Sequence, residues 1–290
     1  MAILAVKNLS KSYKNQKVLK DINITIDSPG IWALVGPNGS GKTTFLNVVN
    51  NLLPATGGTV KLVGKSNTDV TVFKEVSFLQ DNTVLFEYLS GYDHLKYICD
   101  VHNLKKKQIE EVAEYVGMKS YLMKKVGDYS LGMKQHLLLA MSIINQPRLL
   151  FLDEPLNGLD PTSAILMRKI LLELAEKGTT IILSSHNLAE IDKVTKQIIF
   201  LKDGQLLQED MNVYEKIYYS FTLSNMSEAL QILTDKGYQA ELLENELKVQ
   251  IDNQYLQTML DVLKDSAIEI LDMQKEVSGS EKRYAELFEV

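Results

Sequence analysis

The chain has 290 residues, enough for one large domain, or a large one with a small appendage, each burying its own core. Hydrophobic residues make up 45% and charged residues 23%, the balance of a folded globular protein, which excludes a disordered chain. The formal net charge of -6 argues against broad nucleic-acid binding, which needs Lys and Arg in surplus, and the single cysteine, Cys99, excludes an internal disulfide.

The N-terminal MAILAVKNLSKSY lacks the charged-then-apolar layout of a signal peptide, and no stretch approaches 18 uninterrupted apolar residues, so a cytoplasmic chain is expected. Ile3, Leu4, Val6, Ile22, Ile24 and Ile26 alternate with polar residues around the KNQK segment, predicting antiparallel strands and a hairpin. Ile31 to Val35 reads as a short apolar strand running into a glycine-rich loop, with a helix from Thr43 to Asn50. From about Leu89 to Met141 the apolar spacing is helical, through Leu95 and Ile98 and again through Ile109, Val112 and Val116, marking a helical insertion. Leu149 to Leu152 and Thr180 to Ser184 read as buried strands separated by a helix from Thr162 to Lys177. That alternation predicts a mostly parallel sheet covered on both faces.

After the Lys202-Asp203-Gly204 turn the order of elements changes. Strand Tyr218 to Leu223, helix Ser227 to Lys236, a hairpin of Gln239 to Leu243 and Leu247 to Ile251, helix Gln254 to Lys264 and strand Ala267 to Met273 give a βαββαβ order. This order predicts a small α+β module of the ferredoxin-like kind.

Two segments carry chemistry. Gly36-Pro37-Asn38-Gly39-Ser40-Gly41-Lys42-Thr43, with Thr44 behind it, fits G-x-x-x-x-G-K-[ST] after a strand and at a helix start. Backbone N–H groups and the helix dipole there attract anionic oxygens; Lys42 is expected to reach the β- and γ-phosphates of a nucleotide, and Thr43 to hold Mg²⁺. Asp153 and Glu154 end the apolar strand Leu149–Leu152. Carboxylates in such a place are costly unless they meet a cation or a proton to be moved, so Asp153 suits Mg²⁺ and Glu154 suits the attacking water.

The order of these motifs over residues 2 to 215 resembles the nucleotide-binding subunits of ATP-binding cassette (ABC) transporters. The resemblance implies an α/β P-loop NTPase of ABC type, with a mostly parallel sheet, an antiparallel β subdomain and a helical subdomain at about 85–145. The domains are then expected at 1–215, and at 216–290 for the C-terminal α+β module. It also implies roles residue by residue. Tyr13 matches the aromatic residue that stacks on adenine, Gln80 the glutamine that touches Mg²⁺ and senses the membrane subunit, and His186 the histidine at the γ-phosphate. Asn157-Gly158-Leu159-Asp160 matches the loop that crosses between paired subunits.

The family's signature, LSGGQ, appears as Tyr129-Ser130-Leu131-Gly132-Met133, followed by Lys134-Gln135; Ser130 and Gly132 match, while Leu131 and Met133 depart. Ser130, Gly132 and Met133 are expected to meet ATP held by the other subunit. Implied with these are catalytic roles for Lys42, Glu154 and His186, ATP and Mg²⁺, and a second nucleotide-binding subunit, identical or related. A separate transmembrane permease would hold the chain at the inner face of the cell membrane, with no nucleic acid bound. The signature form and the C-terminal module resemble exporter ATPases of the bacitracin, lantibiotic-immunity and phenol-soluble-modulin type. The alternative is a soluble ABC-type ATPase acting on a ribosome or DNA. Such proteins usually carry two cassettes or long coiled coils, and neither is present here.

Cys99 and His102 have a metal-like spacing but no second pair, and Lys105-Lys106-Lys107 reads as a solvated face. His94 and His136 receive no role. Tyr214, Tyr218, Tyr219 and Phe221 are expected to pack between the two domains.

Overall fold

In a computed structural model of the chain, β1 (Leu4–Tyr13) and β2 (Gln16–Ile26) pair antiparallel from Leu4↔Ile26 to Tyr13↔Gln16. The described residues are 2–289 except Asn15, Glu215, Asn245, Asp252 and Ser278; Asn15 of the expected turn and Glu215 at the expected boundary lie outside them. β3 (Gly30–Val35) leads to α1 (Lys42–Val49), and β4 (Gly57–Leu62), β5 (Lys65–Ser66) and β6 (Val76–Leu79) follow. The first sheet is antiparallel in the order β2-β1-β4-β5.

The insertion is built from α2 (Gly91–His102), α3 (Lys107–Tyr115) and α4 (Leu131–Ile143). Helix α2 starts at a reciprocal cap, in which Ser90 accepts from the Asp93 N–H while the Asp93 carboxylate accepts from the Ser90 N–H, and ends on left-handed Asn103. Ser90 and Asp93 thus fix where the helix begins. Then come β7 (Leu149–Leu152), α5 (Pro161–Glu176), β8 (Thr180–Ser185), α6 (Leu188–Ile191), β9 (Gln197–Lys202) and β10 (Gln205–Asp210).

The second sheet has the order β10-β9-β3-β8-β7-β6, with β9, β3, β8, β7 and β6 parallel. β3 and β7 carry continuous apolar runs because both faces are covered: every residue of β7 is buried, and so are Ile31 to Val35 of β3. The register fixes the site. Val35 pairs with Ser185, Leu152 with Leu183 and Leu79 with Leu152, so the segments leaving β3, β7, β8 and β6 emerge along one edge. In open α/β sheets that carboxyl edge is where ligands bind.

The chain divides into two compact units, Met1–Glu209 and Asp210–Val290. The second contains α7 (Met211–Tyr214), β11 (Ile217–Leu223), α8 (Met226–Asp235), β12 (Gln239–Leu242), β13 (Leu247–Gln250), α9 (Leu256–Asp265), β14 (Ile270–Val277) and α10 (Ser280–Phe288). Its antiparallel sheet runs β12-β13-β11-β14, the fourth-first-third-second order of a ferredoxin-like module, with strands counted in their βαββαβ sequence. Phe221, Val249 and Leu247 of the sheet and Leu233, Met259 and Leu263 of α8 and α9 form its core.

Two expectations change here. The last strand begins at Ile270, not Ala267, because Ala267 takes a left-handed φ of 55° just past α9 and turns the chain first. Tyr214, Tyr218, Tyr219 and Phe221 do not form one cluster. Tyr219 and Phe221 belong to this unit's own core, while Tyr218 points to the other sheet face beneath Lys248 and Lys282, and Tyr214 stacks under Arg283. The alternation of β11 separates Tyr218 from Tyr219 and Phe221, and Tyr214 lies on α7, outside that strand.

Candidate active site

The loop between β3 and α1 is shaped for close backbone approach. A Cβ at Gly36 would lie 2.7 Å from the Leu201 carbonyl oxygen, and Gly41, at φ 107°, caps α1 in a left-handed conformation open to glycine. Gly41 has no side chain to cap the helix, so the first N–H groups of α1 are left for an anion. Lys42 is only 7% exposed, and its ammonium donates to the Gly36 carbonyl at 2.8 Å and the Pro37 carbonyl at 3.3 Å. Its ammonium is folded back over the loop. Thr43 is exposed and Thr44 half-buried at the same helix start.

Beyond β7 the carboxylates are held by β8. The buried Ser184 hydroxyl donates to Asp153 Oδ1 and accepts from the Glu154 N–H at 2.9 Å. Glu154 itself sits at φ 50°, a left-handed position that L residues with a Cβ adopt at a cost, and one often found at functional sites. Its carboxylate is 26% exposed, with Oε1 4.0 Å from Lys42 Nζ and Oε2 2.9 Å from His186 Nδ1. Lys42 of α1, Ser184 of β8 and His186 just beyond β8 therefore converge on Glu154. The pairing of Leu79 with Leu152 puts Gln80 and Asp153 at adjacent strand ends. Asp153, Gln80 and Thr43 offer hard oxygen donors, the chemistry that suits Mg²⁺.

Tyr13 ends β1, 43% exposed, with the Lys11 ammonium 5.0 Å from its ring centroid. The signature residues gather elsewhere, at the start of α4. Ser130 is the N-cap, its hydroxyl accepting from the Met133 N–H at 3.3 Å. Gly132 faces the start of α5, where a Cβ would stand 3.5 Å from Asp160 Oδ2. Asp160 caps α5, accepting from the Thr162 and Ser163 N–H groups and, at 2.7 Å, from the Ser163 hydroxyl, and the Ser163 hydroxyl is the main cause holding its carboxyl below the usual carboxylate range. Among the described residues no hydrogen bond or ion pair joins Ser130, Gly132, Met133 or Asp160 to Lys42, Asp153, Glu154 or His186.

Sequence reasoning missed Ser184, whose only signal was a serine pair preceding His186, and it missed a brace behind His186. There Glu190 of α6 pairs with Arg168 of α5 and, at 2.7 Å, with Lys193. Among the described residues no group of three His, Cys, Asp or Glu is placed to hold a metal, and Cys99 is buried with its thiol pushed up by burial.

A phosphate loop opening a helix, a carboxylate pair and a histidine at the carboxyl edge of a parallel sheet define a P-loop NTPase. The family model described as ABC transporter matches residues 19–157, and one described as AAA domain, putative AbiEii toxin, Type IV TA system matches residues 123–192. The uncharacterised ABC transporter ATP-binding protein YhcH of Bacillus subtilis (strain 168) is 32% identical over 98% of this chain and 95% of its own length. The lantibiotic transport ATP-binding protein SrtF of Streptococcus pyogenes is 34% identical over 71% of this chain and 90% of its own. The bacitracin transport ATP-binding protein BcrA of Enterococcus faecalis is 35% identical over 80% and 78%.

Among solved structures, an ATP-binding subunit of an ABC transporter has a TM-score of 0.67 at 26% identity, covering 73% of this chain and 91% of that one. The ATP-binding cassette MJ0796, a dimeric post-hydrolysis structure bound to ADP and Pi, shares the fold with a TM-score of 0.66 at 24% identity over 72% and 98%. The chain belongs to the ATP-binding proteins of the ABC transporter family, and it is an ATP-binding, ATP-hydrolysing enzyme. Among its described residues no helix is long and apolar enough to cross a membrane.

Proposed function

We propose that this ATPase drives the export of peptides or drugs through a separate permease at the inner face of the cell membrane, as one of two nucleotide-binding subunits that close around ATP. The observation that carries the proposal is the division of the site. Lys42 and Glu154 stand in one group, and the Ser130 cap in another that shares no hydrogen bond with it among the described residues. A head-to-tail pair with two-fold symmetry brings the Ser130 group of each subunit to the ATP on Lys42 of the other. The dimeric state of MJ0796 and the lantibiotic and bacitracin transport named for the relatives support this reading.

On this reading the first turn of α1 and the Lys42 ammonium hold the phosphates, and the Tyr13 ring stacks on the base. Thr43, Gln80 and Asp153 hold Mg²⁺, which supplies charge neutralisation at the phosphates. Glu154 orients the attacking water and takes its proton, with His186 fixing the carboxylate from one side and reaching the γ-phosphate. Binding ATP favours the closed pair, and loss of the γ-phosphate contacts releases it.

The test is to isolate the chain from its own membranes under mild conditions and assay hydrolysis against a panel of peptides and drugs. Co-purification of a membrane subunit, with hydrolysis stimulated by amphipathic or antibiotic peptides, is the expected result. A chain that copurifies with ribosomes or DNA and no membrane protein contradicts it.

A further inference from the structure

The departure of Leu131 from the signature pattern has a structural counterpart in the crossing loop. A Cβ added to Gly158 would lie 2.6 Å from Leu131 Cδ2, so the leucine lies directly on the glycine backbone. Gly158 takes a φ of 69°, and Leu131 remains 44% exposed on its other side. One residue on, the first turn of α4 touches the next element as well: a Cβ at Gly132 would stand 3.2 Å from Ser163 Oγ and 3.5 Å from Asp160 Oδ2. Two successive residues of α4 therefore lie against the loop and the cap that follow Glu154. That loop is tied back to the catalytic carboxylate's own backbone, the Asn157 N–H donating to the Glu154 carbonyl at 3.1 Å.

We propose that Leu131 and Gly158 are a size-matched pair that makes the signature turn and the crossing loop move as one body. Leu131 is then a positioning residue: it acts through Gly158 on the placement of Glu154 and on the presentation of Ser130 to the facing subunit. A glycine at 131 leaves the loop uncovered, and a side chain at 158 pushes the tip of Leu131 off the loop toward solvent. Packed side chains of this kind have discrete arrangements and transmit displacement between elements. The inference rests on the reading of Ser130 and Glu154 proposed above.

The experiment is a double-mutant cycle on the full-length chain with the single variants Gly158→Ala and Leu131→Gly and their combination, each assayed for kcat, KM and ATP binding. Alanine at a positive φ carries a strain of its own, but that strain is common to the single and double variants, so recovery in the double isolates the Leu131 contact. The expected result is a fall in kcat of about tenfold for Gly158→Ala, with ATP affinity altered less than about twofold, and recovery to within about threefold in the double variant. Leu131→Ile, which keeps the cover, is expected to retain most activity.

A double variant as impaired as Gly158→Ala overturns the proposal. Should Gly158→Ala fail to fold, Leu131→Gly decides: lower kcat at unchanged ATP affinity supports the pair, and unchanged kcat overturns it. Lys42→Ala separates the two readings. If Lys42→Ala binds ATP as the unaltered chain does, the nucleotide site is misplaced, whatever the pair does.

Discussion

His186 Nδ1 and Glu154 Oε2 lie 2.9 Å apart, while the second oxygen of the same carboxylate faces Lys42 Nζ at 4.0 Å. Glu154 thus links the end of β8 to the phosphate loop, and its charge is the part that amide replacement removes. Glu154→Gln is expected to lower kcat by about 100-fold or more with ATP binding retained, since the interaction lost is one made in the transition state. Single-turnover hydrolysis alongside a binding titration checks both halves of the statement. An unaltered rate removes Glu154 from the chemistry.

Ser184 is predicted to matter more than its size suggests. Fully buried, it bridges the Asp153 carboxylate and the Glu154 backbone. Ser184→Ala leaves a buried N–H and a carboxylate oxygen short of a partner, which costs about 1–3 kcal/mol in unfolding free energy. Because Asp153 also loses its orientation, the Mg²⁺ concentration for half-maximal activity is expected to rise. Denaturant unfolding and a Mg²⁺ titration measure the two effects, and a variant unchanged in both contradicts the assigned role.

Lys42 tests the phosphate loop without reference to turnover. At ATP a hundredfold above its dissociation constant, binding stabilises the native state by about 2.7 kcal/mol. Lys42→Ala removes the ammonium that now donates to the Gly36 and Pro37 carbonyls. The expected outcome is loss of most of the ATP-induced rise in melting temperature. An undiminished rise would place the phosphates elsewhere.

The brace behind His186 gives a pH signature. Hydrogen bonding from Lys193 is the largest influence on the Glu190 carboxyl, which together with Arg168 holds it below the ordinary value of 4.5 against the opposing effect of burial. A carboxyl with a depressed folded-state pKa contributes stability that is present above its unfolded pKa and is lost as pH falls through the folded one. Glu190→Gln is therefore predicted to lower the melting temperature at pH 7, by an amount that shrinks below about pH 4.5 as the unaltered chain protonates. Melting curves from pH 7 to pH 3 test this. A difference that stays constant across that range contradicts the linkage.

The strand ends that carry the candidate residues were legible in the sequence because each is a local pattern. The glycine and lysine spacing from Gly36 to Thr43, and the carboxylates ending an apolar strand at Asp153 and Glu154, each describe a strand end, and the parallel register then sets those ends side by side. The βαββαβ order after Gly204 was legible for the same reason, each element carrying its own periodicity. What the sequence hid depends on contacts between distant segments. Ser184 meets Asp153 across 31 positions, and Arg168 meets Glu190 across 22, with no local pattern to announce either pair. Helix α10 went unread because its apolar stripe, Tyr284, Leu287 and Phe288, is confined to about one turn at the end of SEKRYAELF. The separation of Tyr218 from Tyr219 and Phe221 needed the sheet face of β11, which composition alone does not supply.

On the proposed function, the loop at Lys42 is half of an ATP site completed by Ser130 of a second subunit. Sedimentation of the Glu154→Gln chain with and without ATP and Mg²⁺ tests it most directly. An ATP-dependent shift from monomer to dimer is expected, which Ser130→Arg abolishes while leaving ATP binding in place. A Glu154→Gln chain that stays monomeric at saturating ATP, or a dimer indifferent to Ser130→Arg, would contradict it.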